Sequence, residues 1–250
     1  MRSGASHIWR LDYRGIISII VLLTTMIIVG SPLKLQAQVG ISFYSQSSPP
    51  AGMKSYQNLI AKFWDWRANQ PSKIANTWPI CLKEDVTVDN RPILFLGDPA
   101  AAPAGGTNVN ATHQACQISS SPLLYLHVYG AYCSQGDSPD KSIPQLLTRA
   151  QDENKIIKLM QVKIDDTDVS SNIVRETTSQ PWILTIPSSD NAFSEKIPCR
   201  GQAMAGIYFL LFKTLPTGHH TITAEVTRVP LQPNQPVEHD DVKWDIKVVR

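Results

Sequence analysis

Residues 207–226, IYFLLFKTLPTGHHTITAEV, carry the pattern that determines the fold class. An apolar run ends at Phe212, the turn-forming segment Leu215–Gly218 follows, and apolar and polar residues then alternate from His220 to Val226. A period of two places the apolar residues on one face of a strand, and Pro and Gly supply the backbone angles of turns. The segment therefore predicts two strands joined as a hairpin.

Short apolar runs bounded by Pro, Gly, Asn and Asp recur along the chain after Cys81. They are Pro92 to Leu96, Leu123 to Tyr132, Ile156 to Ile164, Pro181 to Ile186, Ile207 to Phe212, His220 to Val229 and Val242 to Val249. Eighteen prolines among 250 residues also favour short strands and many turns. We therefore predict a mainly β fold, an antiparallel β-sandwich with one or two packed helices.

Two segments have the period of an α-helix. From Tyr56 to Gln70 the apolar residues fall within an arc of about 160° at 100° per residue, which predicts an amphipathic helix. Arg67 projects from the middle of that arc, so it needs either a frayed helix end or a buried partner. A second helix is predicted from Pro144 to Ile157, with Ser142 as its N-cap.

The N-terminal segment has the layout of an export signal. Residues 15–33 carry no charge, and Arg2, Arg10 and Arg14 precede them. A basic flank followed by an apolar run is typical of a signal peptide or a membrane anchor with its N-terminus in the cytoplasm. As a helix the uncharged stretch would span roughly 28 Å against a hydrocarbon thickness of about 30 Å. Cleavage after Ala37 and retention as an anchor therefore both stay open.

Three regions follow from these patterns. Residues 1–37 are predicted to be the signal peptide or membrane anchor, and 38–55, rich in Ser, Pro and Gly, a flexible tether. Residues 56–250 are predicted to form a β-rich ectodomain held by disulfides. Its expected location is extracytoplasmic, either secreted or anchored to the membrane by residues 15–33.

All four cysteines, Cys81, Cys116, Cys133 and Cys199, follow the export segment. An even number in an oxidising compartment predicts two disulfides. Four cysteines allow three pairings; the unnested one, Cys81 with Cys116 and Cys133 with Cys199, is favoured, although the sequence does not fix it. The only close pair of metal-ligand type is His113-x-x-Cys116, so no metal site is predicted.

One glycosylation sequon is present, Asn110-Ala111-Thr112. It ends a segment from Asp98 to Ala111, rich in Ala, Pro and Gly, that is predicted to be a mobile loop. Asn110 is therefore a candidate glycosylation site in a host that glycosylates exported proteins.

Candidate ligand contacts are few and isolated. Asp165 and Asp168 belong to the motif Asp165-Asp166-x-Asp168, whose carboxylate oxygens could share a calcium ion, but the Gly and Glu of an EF-hand loop are missing, so a polar turn is favoured. His220 follows His219 at the start of a strand, and two adjacent strand residues point to opposite faces. Trp78, beside Pro79, is a candidate aromatic contact in a loop. Arg67 is a further candidate, because a charged side chain in an apolar arc is costly to bury without a partner.

Several function classes find no support in the residues. The formal charge of +2 is spread along the chain without a basic stripe, so no nucleic-acid partner is predicted. The sequence contains no nucleophile elbow, zinc-protease helix, phosphate-binding glycine loop or haem-attachment motif. We therefore predict no cofactor and no catalytic residue, and the helical arc assigns Trp64 and Trp66 to the core rather than to a ligand.

An ordered series of short motifs covers roughly residues 56–226. The motifs are Phe63-Trp64-x-Trp66, Cys81, Pro92-Ile93-Leu94-Phe95-Leu96-Gly97, Cys116-x-Ile118, Leu123-Leu124-Tyr125, Gly206-x-Tyr208-x-Leu210-Leu211 and Leu215-Pro216-x-Gly218-x-His220-x-Ile222. As a set they resemble a group of exported archaeal and bacterial proteins of unassigned function. The resemblance implies an extracytoplasmic domain with Cys81 paired to Cys116, and it supplies no catalytic residues.

These observations favour an exported, non-catalytic envelope or secreted protein that binds an envelope protein or a polysaccharide. Two alternatives stay open. One is a secreted hydrolase with dispersed groups drawn from Asp165, Asp168, Glu225 and His220, because carboxylate pairs from distant strands leave no local pattern. The other is a structural subunit of a membrane assembly, which exposed apolar patches on the ectodomain would indicate.

Overall fold

The computed structural model describes residues 40–53, 55–70, 86–88, 91–96, 108–120, 122–136, 138–187, 189, 191, 199–229 and 237–250. They belong to a unit that extends from Gly40 to Arg250. The expected signal or anchor of residues 1–37, and with it the stretch 15–33, lies outside the described residues, as do Cys81 and Trp78. Within the described ranges, no helix combines the length and the apolar character needed to cross a membrane.

The first sheet is built around one long strand, β10 (Cys199–Thr214). On one side the order continues through β5 (Leu123–Ser134), β3 (Arg91–Leu96) and β2 (Val86–Val88). Three short strands pair in turn with the other edge of β10: β1 (Ser42–Phe43), β8 (Val174–Thr177) and β9 (Trp182–Ile186). Both edges of β10 are therefore hydrogen-bonded along most of its length.

The second sheet has five strands in the order β4-β12-β11-β6-β7. Their bounds are β4 (Asn108–Ser119), β6 (Ile157–Ile164), β7 (Thr167–Asp168), β11 (Gly218–Arg228) and β12 (Glu238–Val249). The alternation predicted for β11 and β12 is confirmed, since Ile222, Ala224 and Val226 are buried, as are Trp244 and Ile246.

The mainly β prediction is confirmed, with one correction to the strand directions. Most neighbouring strands are antiparallel, but β3 runs parallel to β5 and β4 runs parallel to β12. Each sheet is therefore mixed rather than purely antiparallel. The sequence pattern does not reveal this, because a residue period of two is the same for either direction.

Helix α1 (Gln57–Ala68) confirms the amphipathic helix expected at residues 56–70 and covers one face of the first sheet. Its Phe63 ring lies 5.6 Å from the Phe95 ring and 5.2 Å from the Tyr125 ring, between ring centroids. Trp64 and Trp66 are buried, as the helical arc predicted. Aromatic pairs at these distances contribute about 0.5–1.5 kcal/mol each beyond their buried area.

Helix α2 (Ile143–Lys155) confirms the second helix and its cap. The backbone N–H of Ser142 donates to Gln145 Oε1 at 2.8 Å, which is half of a capping box. Leu146 and Ala150 form a small buried cluster with Met204 of β10. The helix is thereby fixed to the first sheet through one apolar stripe.

The stretch expected as a tether, residues 38–55, is packed in its described part. Strand β1 pairs with β10, and the Tyr44 N–H donates to the Leu211 carbonyl at 2.9 Å. Met53 is buried in the core. Ile41, Phe43 and Met53 are apolar and pack in or against the core, which the content of Ser, Pro and Gly in this stretch does not indicate. The domain therefore begins near Gly40 rather than at residue 56.

Two further expectations are wrong. The predicted hairpin around Leu215–Gly218 instead connects the two sheets, because β10 has both edges occupied and β11 pairs with β6 and β12. The predicted loop from Asp98 to Ala111 ends inside β4, which begins at Asn108; residues 97–107 lie outside the described residues.

Candidate functional site

A cleft of about 150 Å³ opens where strand ends of both sheets meet. Most of its lining side chains are apolar, and serine, threonine and lysine complete it. The lining residues are Leu94, Ile118, Ser119, Ser120, Pro122, Leu124, Phe212, Lys213, Thr214, Leu215 and Val248. A cavity with apolar walls and a few polar groups is the usual form of a small-ligand site.

Leu215 forms one wall of the cleft and begins the turn to Gly218, which is held by His220. His220 Nδ1 lies 2.7 Å from Asp165 Oδ2, and His220 Nε2 lies 2.8 Å from the Pro216 carbonyl oxygen. Asp165 Oδ1 also accepts from the Thr221 N–H at 2.8 Å. A carboxylate and a carbonyl are both acceptors, so both ring contacts are hydrogen bonds only when each ring nitrogen carries a proton.

The same turn is fixed from its other side by the start of the described chain. The Thr214 hydroxyl donates to the Gly40 carbonyl, and Ser42 Oγ lies 2.9 Å from Thr214 Oγ1. Gly40 has φ +119°, and a Cβ there would lie 2.8 Å from Pro216 Cγ. Only glycine meets both conditions without strain. The wall of the cleft is therefore supported by three separate segments of the chain.

Among the described residues that line the cleft, Lys213 is the charged one. Its Nζ lies 5.1 Å from the centroid of the Tyr44 ring, within the range of a cation–π contact. Among the described residues no carboxylate lies within ion-pair distance of Lys213. The aromatic ring thus positions the ammonium group without neutralising its charge.

The two aspartates of the calcium hypothesis have different partners. Asp165 turns to His220, whereas Asp168 accepts from the Ser170 N–H at 2.9 Å and from Gln161 Nε2 at 2.8 Å. These hydrogen bonds lower the pKa of Asp168, Ser170 contributing most. Within the described part of the chain, no three His, Cys, Asp or Glu side chains converge as a metal site. The polar-turn interpretation therefore agrees with the geometry.

Asp165 and Glu225, two of the groups considered for hydrolysis, lie apart in the second sheet. Glu225 lies opposite Asp241 and Gln161 on the neighbouring strands, four positions along β11 from Thr221, the residue that Asp165 contacts. Four strand residues span about 13 Å, which exceeds the separation of about 5 to 9.5 Å between carboxyl groups in glycoside hydrolases.

Arg67, in the last turn of helix α1, is buried close enough to His127 to act on its charge. Arg67 is 3% exposed and His127 is 1% exposed, so the frayed-end alternative for Arg67 does not apply. The His127 ring stacks on Phe63 at 4.6 Å between centroids. Burial, and secondarily the charge of Arg67, holds the pKa of His127 well below its usual range, so its ring is neutral. Sequence periodicity identified Arg67 but missed His127, which sits in an otherwise apolar strand.

Three of the four cysteines lie in described strands. Cys133 is opposite Met204, Cys199 is opposite Ile186, and Cys116 is opposite Ile246 in the second sheet. Cys199 and Met204 are five positions apart on β10, about 16 Å along an extended strand, whereas disulfide-bonded Cα atoms are less than about 7 Å apart. The register therefore does not support the favoured pairing of Cys133 with Cys199.

The sequon lies in a strand rather than in a loop. Asn110 belongs to β4, an edge strand of the second sheet, and its backbone is opposite Asp241 of β12. Trp78, the loop candidate, lies outside the described residues. Neither residue is brought to the cleft by a described element.

Comparisons with known proteins identify no relative. No family model matches the chain, and no curated protein matches it. Among solved structures, the solution structure of Amebosin aligns with 57% of this chain and 100% of its own chain, at 12% identity and a TM-score of 0.18. A TM-score this low carries no argument about fold or function.

Proposed function

We propose that this protein is an exported, non-catalytic binding protein of the cell envelope or the secreted fraction. One observation carries the proposal: the residues most suited to catalysis are committed to holding the fold. Asp165 uses both carboxylate oxygens, and His220 has both ring nitrogens against acceptors in the same turn. A general base needs a ring nitrogen within reach of substrate, and in this geometry neither nitrogen of His220 faces one.

The outer face of the second sheet supports a partner with many hydroxyl or amide groups. Alternate residues of β11 and β12 point away from the core and are polar. We call this surface the polar sheet face; it comprises Thr221, Thr223, Glu225, Thr227, Asp241, Lys243 and Asp245. Thr223 lies opposite Lys243, and Thr221 opposite Asp245. Such rows of donors and acceptors suit an extended polysaccharide or a polar protein surface.

The apolar exposure expected of an assembly subunit finds little support. In the described ranges, the large hydrophobic residues that are exposed are Leu159 in β6, Ile183 in β9 and Val237 just before β12. They form no contiguous patch of the size that marks a permanent interface. A polar, reversible contact with a partner fits this surface better than a permanent apolar interface does.

Export is the second part of the proposal and rests on the sequence of residues 1–37. In this proposal the partner is an envelope protein or a polysaccharide. If residues 15–33 remain uncleaved, they also place the protein in the membrane. The location and the partner are tested together by fractionating the producing cells and then measuring binding to their own envelope.

The experiment uses the full chain, recovered after export, and cosedimentation with isolated envelope polysaccharide or envelope protein. Thr223→Lys changes the centre of the polar sheet face, and Gln151→Lys is the matched control on the exposed side of α2. We expect the wild type and Gln151→Lys to sediment alike and Thr223→Lys to lose most of its binding. A cytoplasmic location, or cleavage of the polysaccharide by the wild type, would contradict the proposal.

A further inference from the structure

The turn at residues 215–218 carries the chain from the first sheet to the second and is held by a histidine ring. We infer that Asp165, His220 and Pro216 form a pH-sensitive latch on this turn. The doubly protonated ring of His220 bonds both partners, and loss of the proton on Nε2 releases Pro216 while the bond to Asp165 stays. The latch goes beyond the proposed function and does not depend on it.

Both ring nitrogens of His220 face hydrogen-bond acceptors. Nδ1 lies 2.7 Å from a carboxylate oxygen of Asp165, and Nε2 lies 2.8 Å from the carbonyl oxygen of Pro216. A neutral imidazole has one N–H and one lone pair, so it can donate to only one of these two oxygens. The other contact would then bring two lone pairs to hydrogen-bond distance. The observed arrangement therefore belongs to the imidazolium form of the ring.

Asp165 is the fixed partner of the ring. Its backbone N–H donates to the Thr221 carbonyl and its Oδ1 accepts from the Thr221 N–H, both at 2.8 Å, so it is tied to the residue that follows His220. A hydrogen bond to a carboxylate is also about twice as strong as one between neutral groups. When the ring loses one proton, the other therefore stays on Nδ1, and Nε2 becomes an acceptor that faces the Pro216 carbonyl.

The Pro216 side of the latch is the part that can move. Residues 215–217 lie between the end of β10 at Thr214 and the start of β11 at Gly218, outside both strands. Leu215, the residue before Pro216, lines the cleft. Loss of the bond from Nε2 therefore loosens the turn and, with it, one wall of the cleft.

Among the described residues, Asp165 is the charged group that contacts the ring. The other titratable or charged groups on the elements beside it are Asp166, Lys213, His219, Asp245 and Lys247. Asp166 is exposed, and Lys213 is held over the Tyr44 ring. The last three lie on the outer face of the second sheet, because His220 is opposite Ile246, which is buried on the inner face. Proton loss at His220 therefore acts mainly on the contacts with Asp165 and Pro216.

The test is an NMR titration of the full chain, with isotope-labelled histidine rings and backbone amides, from about pH 5 to about pH 9. We expect both ring nitrogens of His220 to be protonated at the acidic end and Nε2 to lose its proton as the pH rises. The amides of Thr217 and Gly218 should shift with the same midpoint as the ring. Hydrogen-exchange protection of residues 215–218, corrected for the direct effect of pH, should fall about fivefold, as loss of one hydrogen bond predicts.

Asp165→Asn is the decisive variant, because it keeps the shape of the latch and changes the position of its protons. The introduced amide accepts from the Thr221 N–H with its oxygen and donates to Nδ1 of His220 with its nitrogen. The proton of the neutral ring then stays on Nε2 and continues to bond Pro216 at neutral and alkaline pH. We expect the turn to remain protected and the pH-dependent step to disappear. If Asp165 acted only as one half of an ion pair, this variant would loosen the turn instead.

Two histidine variants complete the design. His220→Gln removes the titrating ring and is expected to abolish the step, whereas His219→Gln, an exposed neighbour on the outer face, is the matched control and is expected to keep it. Circular dichroism melts verify that each variant is folded. A ring that titrates while the turn amides stay unchanged, a step that survives His220→Gln, or a turn that loosens in Asp165→Asn would each overturn the latch. Envelope cosedimentation at one fixed pH tests the proposed function separately.

Discussion

The Nδ1 atom of His220 lies 2.7 Å from Oδ2 of Asp165, although the two residues are 55 positions apart in the chain. The contact joins the turn between β6 and β7 to the start of β11, and His220 also contacts Pro216 in the segment between β10 and β11. His220 is 10% exposed and Asp165 is 39% exposed, so the pair is at the surface on one side and sheltered on the other. It is one of the contacts by which the second sheet holds the segment that crosses from the first.

The Asp165–Asp166 turn offers a test of how much this contact stabilises the fold. Both residues have positive φ, 49° and 66°, which glycine adopts at lower cost. Asp166→Gly is expected to be neutral or stabilising by up to about 1 kcal/mol. Asp165→Gly gains the same backbone relief but loses the bonds to His220 and Thr221, so we expect a net destabilisation of about 1–2 kcal/mol. Denaturant unfolding of both variants measures the difference; equal stabilities would show that the contact contributes nothing.

His127 predicts a pH dependence with a defined direction. Because burial and Arg67 lower its pKa in the folded state, the unfolded chain binds a proton that the folded one does not. The free energy of unfolding should therefore fall by up to about 1.4 kcal/mol per pH unit below about pH 6.5 and be insensitive to this group above it. His127→Phe should remove this component, and His219→Asn, an exposed histidine, should keep it. An unchanged slope in His127→Phe would show that other groups cause the acid sensitivity.

Gly206 allows helix α2 to approach β10. A Cβ at residue 206 would lie 2.0 Å from Asn154 Nδ2 and 2.9 Å from the Ala150 carbonyl oxygen. Gly206→Ala is therefore expected to cost about 1–3 kcal/mol of stability through overpacking. Asn154→Ala should recover part of that loss in the double variant, since it removes the nearest clash. A double-mutant cycle with no coupling between the two positions would place the strain elsewhere.

The cysteines are tested by intact mass with and without reductant after alkylation of the exported protein. We expect no alkylated thiol before reduction and a mass that also reports removal of the N-terminal segment and any glycan on Asn110. Peptide mapping should find no bond between Cys133 and Cys199, because the β5–β10 register separates them. Such a bond would require a different register, and free thiols would revive a redox or metal role.

The elements that could be predicted are those in which local pattern and final packing agree. Helix α1 has an apolar arc that faces one sheet, and β11 and β12 alternate because each buries one face. Strand β4 could not be predicted, because its sequence NVNATHQACQIS has no apolar alternation and its place depends on β12. The hairpin prediction is wrong for the same reason. The turn-forming residues can be recognised in the sequence, but which strand pairs with which depends on tertiary packing.

The site was harder to predict than the fold. Asp165 and His220 were both identified, but as separate candidates, because the register of β6 against β11 that unites them is absent from either local sequence. The cleft has no local signature at all, since its lining residues come from strand ends scattered from Leu94 to Val248. Buried His127 was hidden for a related reason: one polar residue in an apolar strand does not change the pattern.

The parallel pairing of β4 with β12 has a kinetic consequence. Ala111 of β4 is opposite Val242 of β12, about 130 residues further along the chain, and contacts of such separation are formed late and slowly. Until β12 arrives, β4 has no partner in the order found for the second sheet, and the near edge of β11 is open. We expect the β11–β12 and β11–β6 pairs, which are closer in the chain, to form first, and the addition of β4 to be the slow step that decides between folding and aggregation.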